Sequence, residues 1–247
     1  MTIRPAKELP DDGIEAWVMS DIFDFDAEYG RLYDQFIRQI IPGYDSFFAL
    51  EESLISNAVG DIGKVLVAGC GSGTELMRFA QGNPRWLLTG VDRSLAMLEH
   101  CRRRLETCEM ESPVQLLLGC IPQLEFAGNF DGVTSNLVMH FIQTKVDKLN
   151  YLCWVRSKMR SGGVMVLMDA CWEKEDAFAS MMRAWWDYAR RSGLSRERWQ
   201  TFREEFEKGI FPLTRQEELS LIEEAGFMKV CSAWSCLHHQ AFVGVNP

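Results

Sequence analysis

The sequence predicts a doubly wound α/β fold built on a seven-stranded, mostly parallel sheet. Three observations predict it. Short apolar runs alternate with segments of helical periodicity between Lys64 and Met168, the pattern that makes a parallel sheet with crossover helices. The first run, 64–68, empties into Gly69, Gly71 and Gly73, and a helical segment from Thr74 to Ala80 follows. The second run, Trp86 to Val91, ends on one carboxylate, Asp92. Strand, glycine turn, helix, strand and acid in that order make a nucleoside-binding half-sheet. Glycines let backbone approach the ligand, and the acid accepts hydrogen bonds from ribose hydroxyls.

Residues 1–13 carry Pro5, Pro10 and Gly13 and are expected to be mobile. Over 26–41, Tyr29, Leu32, Tyr33, Phe36, Ile37 and Ile40 fall at helical spacing, and Pro42-Gly43 ends that helix. A second helix is expected from Asp45 to Val59. Beyond Asp92, Ser94 is placed to N-cap a helix over 95–105. Val114 to Leu118 reads as the third strand and Phe130 to Ser135 as the fourth. Residues 144–160 read as a helix that stops at Ser161-Gly162-Gly163, before a fifth strand from Val164 to Met168. Residues 173–208 interrupt the alternation with helical, aromatic-rich sequence. Thr214 N-caps a helix over 215–225 that Gly226 stops, and Lys229 to Trp234 and Gln240 to Val245 read as the last strands. One domain over 1–247 is expected, with 1–60 as a helical cap and 173–208 as a helical insert that together form a lid.

Composition narrows the partners. The chain has 247 residues, 47% of them hydrophobic, enough for a packed core. Acidic residues outnumber basic ones 35 to 26, giving a net charge of −9. Such a surface repels a phosphate backbone, so a nucleic-acid partner is not expected. The runs Arg102 to Arg104 and Arg190-Arg191 suit solvated helix faces. None of the eight cysteines forms a C-x-x-C pair. The spacing of Cys231, Cys236, His238 and His239 fits no structural zinc pattern, so no metal is expected. The start has no apolar segment of signal-peptide length and no stretch approaches a membrane span. The expectation is a reduced, cytoplasmic protein acting on a small molecule.

The glycine loop also says which nucleoside. A dinucleotide fingerprint needs glycine where Thr74 stands; here the order is G-x-G-x-G. With Val91-Asp92-Arg93-Ser94, it resembles the first two motifs of the class I S-adenosylmethionine-dependent methyltransferases. That resemblance implies a Rossmann-like sheet closed by an antiparallel hairpin, with S-adenosylmethionine as the cofactor. Over roughly residues 25–245 the chain is similar to the subgroup that includes the carboxy-S-adenosylmethionine synthases of tRNA wobble-uridine modification. Ile41-Pro42-Gly43-Tyr44 resembles its I-P-G-Y, whose tyrosine reaches the cofactor. Gly69, Cys70, Gly71 and Gly73 match its glycine loop, and Asp92-Arg93 its ribose-binding pair. Gly119-Cys120-Ile121 stands where the subgroup has a G-D-I that brackets adenine. Asn136 stands where its fourth strand ends beside the sulfonium. Gly193-Leu194-Ser195 through Arg203 resembles G-Y-S followed by an arginine, which in the synthase holds an extra carboxylate. Two departures stand out: Val67 replaces an acid, and Cys120 replaces an aspartate.

Methyl transfer from a sulfonium is an in-line displacement with a neutral leaving group, so alignment, desolvation and sometimes a base are what the protein supplies. Tyr44 and Asn136 are candidates to orient the methionine end; an amide closing an apolar strand is costly without a partner. His140, four residues on, is the candidate catalytic base, or else a hydrogen-bonded buried histidine. Asp169, at the end of the fifth strand, either binds substrate or caps a helix. Arg203 either clamps a carboxylate or pairs with Glu204, Glu205 or Glu207 on a solvated helix. Trp172 and the aromatic face of the insert are expected to be mostly core, with a minority lining a pocket for a small flat molecule. The expected activity is methyl transfer to a small organic acceptor. Carboxy-S-adenosylmethionine synthesis and a non-catalytic binding role stay open at this point.

Overall fold

The computed structural model describes residues 2–5, 7–8, 28–108, 112–172 and 175–247. The expected first turn of the N-terminal helix at 26–27, and Pro10 and Gly13, lie outside these.

The central strands are β3 (Gly63–Ala68), β4 (Trp86–Asp92), β5 (Val114–Leu118), β7 (Phe130–Asn136) and β8 (Met159–Ala170). A terminal pair, β9 (Met228–Cys236) and β10 (His239–Val245), is antiparallel within itself and against β8. A short β1 (Ile3–Pro5) completes the sheet, whose order is β1-β5-β4-β3-β7-β8-β10-β9. Two-residue β2 (Lys7–Glu8) and β6 (Leu124–Glu125) pair separately. The chain order reverses between β3 and β7, which are parallel neighbours with Val67 opposite Thr134. A crevice opens beyond the strand ends at such a reversal.

The sheet therefore has eight strands rather than the expected seven. The added one lies in the segment expected to be mobile: Ile3, Arg4 and Pro5 pair in parallel with Leu116, Leu117 and Leu118. Three residues ending in proline are too short a run to show period two, and an edge strand tolerates the missing amide. A second difference is at 158–163. The helix ends at Ser157 and β8 begins at Met159, opposite Phe130, with a register shift before Gly132 pairs with Val164. The Ser161-Gly162-Gly163 stretch that reads as a helix stop is an irregularity inside a strand.

Period-two alternation sorts the strands between two cores. Val65 and Val67 face one cluster with Phe47, Ile55, Leu76 and Phe79; Leu66 and Ala68 face the other with Tyr151, Leu152 and Leu221. The first face is covered by α2 (Tyr44–Val59), α3 (Thr74–Gly82) and α4 (Leu95–Thr107), the second by α5 (Lys145–Ser157) and α8 (Arg215–Glu224). Caps set several starts: Ser94 Oγ accepts from Met97 N, and Thr214 forms a reciprocal capping box with Glu217. Each is worth about 1 kcal/mol.

Above the strand ends lie α1 (Glu28–Ile40), α6 (Glu175–Arg191) and α7 (Arg196–Gly209). They pack through aromatic side chains. Fully buried Trp185 meets Trp199, Phe202 and Phe206 edge-on at 5.1–5.5 Å, and its Nε1 donates to Ile40 O at 2.7 Å. Burying such side chains contributes about 1.5–3 kcal/mol each, which holds the three helices as one roof. None of the described helices is long and apolar enough to cross a membrane.

Candidate active site

Two cavities meet beneath this roof. The larger is an open cleft of about 760 Å³, counting its mouth, lined by Gly69, Gly71, Asp92, Arg93, Cys120, Ile121 and Asn136 among others. The smaller, about 440 Å³, is walled by Ile37, Ile40, Phe202, Phe206, His140 and His239. Tyr33, Leu137 and Phe141 line both.

The larger cleft is shaped by backbone. Gly69, Gly71 and Gly73 all have left-handed φ values, 81°, 49° and 84°. A Cβ at Gly69 would sit 2.3 Å from Val138, whereas one at Gly71 would meet nothing within 4 Å. Gly71 thus keeps the cleft floor bare for a ligand. Asp92 ties the loop to β4: its Oδ2 accepts from Gly71 N at 2.8 Å and its Oδ1 from Ser94 N at 2.9 Å. A carboxylate has about four acceptor positions, so the bonds from Gly71 and Ser94 do not exhaust it. Burial raises the Asp92 pKa, opposed by the amides of Ser94 and Gly71 and by the charge and amide of Arg93. A floor without side chains, an acid at a strand tip and room for a nucleoside fit S-adenosylmethionine.

Asn136 closes β7. The chain then turns through Leu137, a non-glycine residue with φ 58°, a backbone state that persists where surrounding structure enforces it. This turn leads into a single 3-10 turn, Met139–Phe141, that carries His140. The buried Lys148 ammonium braces it by donating to Met139 O at 2.5 Å. His140 Nδ1 bonds Asp169 Oδ1, which also accepts from Ala170 N. A carboxylate oxygen can only accept, so the proton of this bond is assigned to Nδ1, which turns Nε2 away from Asp169. Both residues are buried, yet His140 is part of the smaller cavity wall. Burial, then the neighbouring His140 and His238, push His239 down to about 3, so that ring is neutral.

Of the sequence-derived candidates, Gly69, Gly71, Asp92, Arg93, Cys120, Ile121 and Asn136 come together around the larger cleft. Cys70 and Gly73 shape the loop without lining it: Cys70 N bonds Val91 O, and Gly73 precedes α3. His140 and Asp169 pair at the second cavity. Like Cys70, Gly73 and Asp169, three further candidates are not walls of either cavity. Tyr44 packs edge-on against Phe48 with Arg38 over its ring. Trp172 packs on Phe206 and His238. Arg203 is half-exposed on α7, where its guanidinium bonds Glu207. Position 203 lies one turn from Trp199, on the flank of the α7 face that buries Trp199, Phe202 and Phe206, and its side chain runs to solvent and Glu207.

Asp34 and Glu51 escaped sequence reasoning, whereas Glu75 was open to it as a stand-in for the acid that Val67 replaces. Asp34 latches the roof to the glycine loop, accepting from Ser72 Oγ at 2.6 Å and Arg104 Nη1 at 2.8 Å. Glu51, fully buried on α2, and Glu75, on the first turn of α3, both accept from Asn136 Nδ2, at 2.7 and 2.9 Å. A readable signal existed for Glu51. It interrupts the i+4 series Phe47, Ile55 and Val59 on an otherwise apolar stripe.

Comparison with known proteins agrees with this geometry. Residues 65–163 match the model of a methyltransferase domain family. The carboxy-S-adenosyl-L-methionine synthase of Campylobacter concisus is 25% identical over 226 residues, covering 91% of this chain and 95% of the relative. That of Marinobacter nauticus is 26% identical over 245 residues, covering 98% and 97%. Among solved structures, the magnesium protoporphyrin IX methyltransferase from Synechocystis, bound to S-adenosylhomocysteine, superposes with a TM-score of 0.64 at 14% identity. The match covers 90% of this chain and 96% of that one, and shows a shared fold.

Proposed function

We propose that this chain is a class I S-adenosylmethionine-dependent methyltransferase that moves the methyl group to a small, largely apolar organic acceptor bearing a hydroxyl or amine. The observation that carries this reading is His140, backed by Asp169, in the wall of a cavity that shares residues with the nucleoside cleft. Bound in the larger cleft, S-adenosylmethionine supplies a methyl group on a sulfonium. Gly69, Gly71, Asp92 and Arg93 hold its nucleoside, and Cys120 and Ile121 flank the base. Aromatic and aliphatic walls from α1 and α7 enclose the acceptor and exclude water. His140 Nε2 takes the proton of the nucleophile, while Asp169 holds the ring in the required tautomer. A positioned base of this kind contributes about 10²–10⁴ in rate.

Methyl transfer, rather than carboxylation of the cofactor, is supported by Arg203, whose charge is engaged by Glu207 on the half-exposed flank of α7. The acidic surface and the enclosed acceptor cavity favour a small molecule over RNA. The test incubates the protein with methyl-labelled S-adenosylmethionine and a panel of phenols, aliphatic alcohols, small amines and bulk tRNA. Label in a small molecule is expected. Label only in RNA, or a carboxylated cofactor in the mass spectrum of ligand carried through purification, overturns the reading.

A further inference from the structure

Behind the nucleoside cleft lies a pair of buried carboxylates that the proposed methyl transfer does not use. Glu51 comes from α2 and Glu75 from α3, and both reach the end of β7. Neither exceeds 5% exposure. Asn136 stands between them and the cleft and bonds both. An amide nitrogen has two hydrogens, and here the two carboxylates engage both: Nδ2 donates to Glu51 Oε1 at 2.7 Å and to Glu75 Oε1 at 2.9 Å. Its Oδ1 accepts from Met168 N at 3.1 Å. The amide cannot flip, since its oxygen would then face two carboxylates and its nitrogen the Met168 N–H. What Asn136 has left for the cleft it lines is the second lone pair of Oδ1.

The pair has no cationic partner among the described residues, so burial favours its protonated form in the ligand-free protein and a nearby cation favours its ionised form. Glu75 Oε1 accepts also from Thr134 Oγ1 at 2.7 Å. Glu51 Oε2 is buried with no hydrogen-bond partner among the described residues. No lysine, arginine or histidine among those residues forms an ion pair with either acid; Arg78, on the next turn of α3, pairs with Glu52 instead. Unbalanced negative charge in a dry interior is costly, and what can balance it from the cleft side is a cation.

We infer that Glu51 and Glu75 are positioning residues that aim the Asn136 carbonyl at the methyl donor and make the cleft prefer a cationic sulfonium over the neutral thioether left after transfer. The inference rests on the methyltransferase reading above. Its chemical consequence is product release. Loss of the methyl removes one positive charge from the ligand, so the same acids that draw in S-adenosylmethionine hold S-adenosylhomocysteine less tightly. The two ligands share the adenosine, the amine and the carboxylate, so only a charge effect at sulfur separates them.

Calorimetry with both ligands on the dialysed full-length protein tests this. The wild type is expected to bind S-adenosylmethionine several-fold more tightly than S-adenosylhomocysteine. In Glu75→Gln and Glu51→Gln, which keep the acceptor oxygen and remove the charge, that ratio is expected to fall about tenfold, the scale of one unit charge acting over several ångströms of protein. Affinity for S-adenosylhomocysteine should change by less than about twofold, the signature of a charge effect confined to sulfur. Equal affinities for the two ligands in the wild type overturn the inference without any variant. So does a folded variant that weakens both ligands alike or leaves the ratio unchanged. A wild type that binds neither ligand overturns the methyltransferase reading itself, a distinct result.

Discussion

The two halves of the composite cavity are built by different means. The donor half is made of strand ends and the glycine loop: Gly69 and Gly71 after β3, Asp92 ending β4 and Asn136 ending β7. Its geometry follows from sheet register, which a one-residue slip would destroy. The acceptor half is made of side chains from segments far apart in sequence. Ile37 and Ile40 come from α1, His140 from a 3-10 turn, Phe202 and Phe206 from α7, and His239 from the start of β10. Its geometry follows from how helices pack over the sheet. Apart from the shared walls Tyr33, Leu137 and Phe141, its residues do not line the donor site, so under the proposed function cofactor and acceptor recognition are largely separable.

That separation can be broken or sharpened by measurement. The largest expected effect is on the acceptor side. His140→Ala should lower turnover by about 10²–10⁴ with affinity for S-adenosylmethionine within about twofold, the change a site built apart from it should show. A matching loss of cofactor affinity, read by calorimetry, would show that the two halves are not independent. On the donor side, Asp92→Ala should weaken S-adenosylmethionine and S-adenosylhomocysteine equally, by about 1.5–3 kcal/mol for each charge-assisted ribose bond. A folded variant of unchanged affinity would remove Asp92 from the site.

A smaller effect is expected in the stability of the ligand-free protein. Burial pushes Glu75 from an ordinary 4.5 up to about 7, while bonds from Thr134 and Asn136 pull it back. Burial and the charge of Glu75 raise Glu51 further. A carboxyl whose folded pKa is raised binds more protons folded than unfolded, so its contribution is fully present below about pH 4.5 and is lost as the pH rises through 7. Tyr44 from α2 also faces this pair, with Arg78 on α3 and Tyr151 on α5. Burial raises both tyrosines further from that window. The melting temperature should fall between about pH 5 and pH 8, and Glu75→Gln should flatten the fall. Buried Glu218 is raised in the same sense, so a residual slope is expected; an unaltered slope would place the titration elsewhere. The smallest effect belongs to Arg203→Ala, about 0–1 kcal/mol in stability and none in cofactor binding. A large loss of affinity there would restore the carboxylate clamp.

The donor half was legible because its determinants are local. Three glycines after an apolar run and an acid ending the next run are visible within residues 64–92, and the order of strands and helices places them at one crevice. Helix starts at Ser94 and Thr214 were legible for the same reason, since a cap acts over three residues. Reading stopped where several segments had to be placed at once. Arg203 and Phe202 are adjacent in sequence, yet one faces solvent and the other the roof. Tyr44 follows a suggestive Ile-Pro-Gly and is nonetheless packed against Phe48. The short edge strand Ile3–Pro5 gains its definition from β5, since three residues show no pattern alone.

Val67 marks the boundary between the two kinds of knowledge. The sequence by itself determined that an apolar residue ends the first strand where an acid was expected, that the glycine loop lacks the dinucleotide pattern, and that Asp92 terminates its partner strand. Only the tertiary structure decided that Thr134, the register partner of Val67, receives a carboxylate from Glu75 on the following helix and, through Asn136, a second from Glu51 on α2. Chain-local steric and hydrogen-bonding rules govern the first set. The second depends on the desolvation of two acids around an amide that lies 85 residues from Glu51, and no local pattern encodes that distance.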